Sequence, residues 1–137
     1  MGILLQQIIN GLSLGSVYAL IAVGYSLVYS ILMFSNFAHG GFLVIGGYIS
    51  YFALNSLGMS IWLAGIVSLF GAGLAAIITE RLAYKPIREN TNNTLYLLIA
   101  SMGMSIVIEN IFVVTIGGRF RALPPIIPTQ PVHLFGQ

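Results

Sequence analysis

Charge is what this sequence most lacks. The first 79 residues contain no Asp, Glu, Lys or Arg, and all 137 residues carry five basic and three acidic side chains. At 6% charged and 58% hydrophobic, with a mean hydropathy of +0.97, the chain lies far from soluble domains, about a quarter of whose residues are charged. It belongs in a bilayer. Cysteine is absent, which excludes disulfides and cysteine-ligated zinc. His39 has no second His, Cys or paired carboxylate near it in sequence, so the ligand set of a metal site is lacking, and no cofactor is expected. The N-terminus has neither the positive region nor the cleavage site of a signal peptide, so the first helix is expected to be retained. The basic residues, with a net charge of +2 and a pI near 9.2, are too few and too scattered for nucleic acid. The one lysine, Lys85, precedes Pro86 and has no phosphate-binding glycine loop before it. No nucleophile, base and orienting group can be assembled, so the chain is not read as an enzyme.

The uncharged run is organised around residues 35 to 47, a polar and glycine-rich interruption. A bilayer core about 30 Å thick takes about 20 apolar residues per helical crossing, so the run must be cut, and Phe34 to Asn36 is the first place to cut it. Ser35 or Asn36 can cap the next helix through a side-chain oxygen, meeting N–H groups that hydrocarbon leaves unsatisfied. His39 falls in that helix's first turn, where it is expected to serve backbone groups, and Gly40 follows it. Four spans result, at about 5–32, 37–57, 60–83 and 94–116. The fold class is all-α, a polytopic transmembrane helical bundle. A β-barrel is excluded by the lack of apolar and polar alternation. Gly11, Gly15 and Ala19 line one face of the first span, where another helix can approach closely. Ser68, Ala72 and Ala76, with Gly65, repeat the device in the third.

Charge first appears at Glu80. Arg81, Lys85 and Arg88 put three of the five basic residues into one short connection, an expected loop over 84–93, which the positive-inside rule places in the cytoplasm. Pro86 is expected to stop any helix there, and the glycosylation pattern Asn92-Asn93-Thr94 is on this reading a decoy. If all four spans cross, the break at 34–36 is cytoplasmic and the N-terminus outside. Residues 117–137, with Pro124, Pro125, Pro128 and Pro131, form an outer loop, although Arg119 and Arg121 count against that orientation. The chain stops within this stretch, so it is expected to be part of a longer polypeptide.

Glu109 is the carboxylate inside a span, where a charge costs about 2.5–3.5 kcal/mol on insertion scales and marks a functional candidate. Ser101 and Ser105, eight and four positions before it, share its face. They suggest a polar path; the alternative is a hydrated Glu109 near the outer interface, or one paired with Arg119 or Arg121. Tyr18, Tyr25 and Tyr29 gather on one side of the first helix, either lining a solute route or packing across helices.

The stretch Asn10 to Tyr25, followed by Asn36-Phe37-Ala38-His39-Gly40, resembles the N-terminal part of permease subunits of bacterial ABC importers for branched-chain amino acids, the LivH type. Glu80 to Arg88 looks like that family's first large cytoplasmic loop, and Ile99 to Ser105 like the start of its next helix. The resemblance covers most of residues 8 to 124. It implies a multi-pass subunit of the bacterial inner membrane, paired with a second related permease, two cytoplasmic ATPases and an extracytoplasmic solute-binding protein. ATP would be split by the partners and transport would follow alternating access. Family members are about twice this length. Where they carry a Gln-Asn pair this chain has Glu109-Asn110. Related permeases carry urea or short-chain amides, and a membrane scaffold is the alternative from another class.

Overall fold

The computed structural model describes residues 2–119 and 121–123. Among them the chain is helical throughout, with no strand. Helix α1 spans Gly2–Leu32, α2 His39–Asn55 and α3 Ile61–Thr79; a π-helical turn, Glu80–Tyr84, leads into α4, Lys85–Asn90, and α5 covers Thr94–Ile116. Three stretches are long and apolar enough to cross a membrane: Ile3–Leu32, Ile61–Asn90 and Thr94–Ile116. The chain is an all-α membrane helical bundle. Most of the outer loop expected over 117–137, with its four prolines, lies outside the described residues.

Helix α1 has 31 residues and is about 46 Å long at ~1.5 Å per residue, more than a bilayer core requires. Residues 3–23 are all exposed, so this apolar cylinder touches the rest of the chain only near its C-terminal end. The glycine stripe accordingly meets nothing: a Cβ at Gly11 or Gly15 would have no neighbour within 4 Å. The helix stops where Met33 takes a left-handed φ of 59°, a conformation that costs an ordinary side chain about 1 kcal/mol or more.

Helix α2, at 17 residues, is shorter than the span expected over 37–57, because Ser56 to Gly58 turn the chain back. It packs between α3 and α5, and glycine sets both approaches. Gly46 brings α2 against Ala72 and the Ser68 carbonyl, at 3.6 and 3.9 Å from where a Cβ would stand. Ser68 and Ala72 thus receive a helix, as their spacing suggests. On the other side Gly41 lies against Ile108, and two turns further along α2 and one along α5 Tyr48 stacks on Phe112 with centroids 4.7 Å apart.

The third span departs from expectation. Pro86 does not end it, and the loop expected over 84–93 is helical through Asn90, leaving only 91–93 outside a helix. Proline in a continuing α-helix collides with the carbonyl four residues back and provides no N–H. Here the N–H of Lys85 reaches back five residues to the Glu80 carbonyl, a π-type register that widens the turn before the ring. Pro86 then sits in the first turn of α4, where no donor is needed. Ion pairs brace the segment: Arg88 binds Glu80 across the π turn, and Lys85 lies 3.7 Å from Glu89. Asn93 caps α5, its Oδ1 accepting the Leu95 N–H at 3.0 Å.

Candidate functional site

Among the described residues, the break between α1 and α2 is where buried polar side chains come together, Asn36 with Ser101. Asn36 is 4% exposed. Its Oδ1 accepts the Ala38 N–H at 3.1 Å and the Tyr84 hydroxyl at 2.8 Å. The first bond is a local turn of the kind Asn favours. It acts just before α2 rather than as its N-cap, which is Ala38 without a side-chain bond. Ser35 contributes no cap either. Its carbonyl is the longer of two acceptors, at 3.4 Å, for the Ser101 hydroxyl, which also donates to Leu98 at 2.8 Å. The Ser101 oxygen in turn accepts the Phe37 N–H at 3.1 Å. Two residues 48 and 64 positions away from the loop therefore complete its hydrogen bonding. Phe34 seals it from below, edge-on to Tyr84 with ring centroids 5.5 Å apart, and Leu97 completes this small core.

His39 opens α2, and among the described residues its side chain makes no hydrogen bond to the backbone. Its imidazole lies edge-on to Tyr25, with centroids 5.7 Å apart, and beside Gly24. These contacts join the end of α1 to α2. Gly40 has open space around it, and the helix contact falls on the next residue, Gly41.

A groove of about 830 Å³ opens beside the break, between the end of α1, α2, α3 and the π turn. Asn36, His39, Glu80, Arg81 and Tyr84 stand at one end, and the walls running away from them are aliphatic and aromatic.

The other residues singled out from the sequence do not assemble into one site. Ser101 is fully buried, and its hydroxyl is committed to the loop. Ser105 instead donates to Glu109 Oε1 at 3.1 Å, one turn along the same helix. Glu109 itself is exposed. It pairs with neither arginine among the described residues: Arg121 lies 5.5 Å over the Tyr51 ring and donates to the Ile116 carbonyl. Tyr18 and Tyr29 are 64% and 50% exposed, and only Tyr25 of the three packs against α2. Arg81, Lys85 and Arg88 are exposed on helix rather than loop. Sequence reasoning missed Tyr84, assigned to an aqueous loop, and Asn93. An aromatic residue between charges, and an Asn before an apolar run, were the available signals.

The family profile described as "Branched-chain amino acid transport system / permease component" matches residues 7–130. The high-affinity branched-chain amino acid transport system permease protein BraD of Pseudomonas aeruginosa is 39% identical over 141 residues, taking in 97% of this chain and 45% of that protein. The LivH permease proteins of Salmonella typhimurium and Escherichia coli are each 41% identical over 134 residues, or 92% of this chain and 43% of theirs. The chain thus spans less than half the length of these curated relatives. No solved structure matches it. With a family match across nearly its whole length, the chain belongs to the permease components of branched-chain amino-acid transport systems.

Proposed function

We propose that this chain forms the N-terminal part of the membrane-embedded permease of an ATP-driven importer for branched-chain amino acids, in the bacterial inner membrane. The observation that carries this reading is the 39–41% identity over almost the whole chain to relatives named as branched-chain amino-acid permeases. A second related permease would complete the path, two cytoplasmic ATPases would supply the energy, and an extracytoplasmic binding protein would deliver the solute. The chain itself contributes helices and no hydrolytic chemistry.

In this reading the end bearing Arg81, Lys85 and Arg88 faces the cytoplasm, by the bias of basic residues toward that side. The break at Asn36 then lies on the same side and the N-terminus outside. Clamped to the π turn and to α5, the break would move with them as one body, while α1, with its open small-residue face, is free to change neighbours. Helix rearrangement of that kind underlies alternating access. Ser105 and Glu109 are the polar pair we assign to the path, with Tyr18 and Tyr25 as further candidates on α1.

The test is solute-stimulated ATP hydrolysis by the full-length subunit, reconstituted with its genomic partners and presented with binding protein loaded with leucine or with urea. Stimulation by leucine is expected. Stimulation by urea alone would keep the transporter and change its solute, and no stimulation by either would favour a membrane scaffold.

A further inference from the structure

The groove beside the break differs from a solute path in how its chemistry is distributed. Its polar residues stand at one end, and the rest of the lining is apolar. That end has a definite height in the membrane. The uncharged part of α3, Ile61–Thr79, has 19 residues and measures about 28 Å, close to one bilayer core of about 30 Å. Glu80 and Arg81 follow at once, so they stand at the headgroup boundary. From Arg81 the groove runs back along α3 to Leu69, about 18 Å at ~1.5 Å per residue, slightly more than half the hydrocarbon thickness. This is the depth of one leaflet's acyl layer.

The charges at the rim favour an anion. Glu80 is engaged by Arg88, and Lys85 lies beside Glu89. Arg81 is exposed and has no carboxylate partner among the described residues. A guanidinium is suited to phosphate, which it can meet with paired N–H donors. Basic residues at this level attract anionic lipid.

We infer that the groove is a binding site for one anionic phospholipid of the adjacent leaflet, with its phosphate on Arg81 and an acyl chain along α3 between Ile77 and Leu69. The site depends on the membrane placement of α3 and is independent of which solute the transporter carries.

The test uses the full-length permease complex in phosphatidylcholine nanodiscs containing phosphatidylglycerol, with bound lipid counted by native mass spectrometry. Retention of phosphatidylglycerol over phosphatidylcholine is expected. Arg81→Gln should weaken that preference roughly fivefold, while Arg81→Lys, which keeps the charge, should retain most of it. Gly73 lines the groove and has open space around it, so Gly73→Leu should expel the lipid with the charge intact. Unchanged preference in Arg81→Gln, with the thermal stability of the complex preserved, would overturn the assignment. A photoreactive benzoylphenylalanine replacing Ala76 should label lipid. Labelling of polypeptide instead would also overturn it, showing that a helix covers the groove.

Discussion

The hydroxyl of Tyr84 donates a 2.8 Å hydrogen bond to Oδ1 of Asn36, 48 residues earlier, and both side chains are buried. It fastens the break between the first two helices to the π turn at the end of the third. Both residues also line the mouth of the groove, so the bond shapes a surface as well as a core.

Tyr84→Phe should keep the edge-on contact with Phe34 and lose only this bond. The Asn36 oxygen retains the Ala38 N–H, so the expected loss is about 1 kcal/mol. Tyr84→Ala, which also empties the core, should cost about 3–5 kcal/mol. Denaturation of the full-length subunit in mixed micelles measures both. Equal losses would mean that the ring contributes nothing.

Ser101 and Ser105 lie on one helix face and should behave differently. Ser101→Ala removes the acceptor of the part-buried Phe37 N–H, at about 1 kcal/mol. Ser105→Ala, a partly exposed site, should fall within about 0.5 kcal/mol of the parent. The same denaturation assay separates them, and a reversed order would remove Ser101 from the clamp.

Gly41 is the close-approach position between α2 and α5. An added Cβ would stand 3.1 Å from Ile108 Cδ1. Gly41→Ala should therefore destabilise by about 1–3 kcal/mol, the usual range for overpacking. Ile108→Val, which removes that methyl, should recover part of the loss in a double-mutant cycle. Gly47→Ala, with no neighbour within 4 Å, is the control and should be neutral or better.

These 137 residues contain no cysteine that must first be removed for single-cysteine labelling. A cysteine at Asn92, exposed in the non-helical segment 91–93, should resist a membrane-impermeant maleimide added to intact cells and react after permeabilisation. Ready labelling from outside would invert the proposed orientation.

Glu109→Gln keeps an oxygen to accept the Ser105 hydroxyl and removes the charge. In the full complex, solute uptake should change while assembly, measured by co-purification of the partners, stays the same. Unchanged uptake would leave Glu109 a structural or interfacial residue.

The helices themselves were legible because hydrocarbon leaves a backbone few choices. An uncharged run of 79 residues has to be helical and has to be broken, and Phe34 to Asn36 is where apolar character lapses. The small residues of α3 were legible too, since spacing alone brings Ser68 and Ala72 to one face, and there α2 packs. The fate of Pro86 was not. A proline rule written for α-helices stops the helix, whereas the observed π turn accommodates the ring and carries the helix to Asn90.

The all-α class and the position of the break between the first two helices were thus determined by the sequence, because burial of backbone polar groups in lipid is a local constraint. Which hydroxyl meets Asn36, whether His39 faces backbone or Tyr25, and whether Ser101 is open or committed were decided by tertiary structure alone. Those contacts join residues tens of positions apart, and periodicity along one helix carries no information about the partner opposite it.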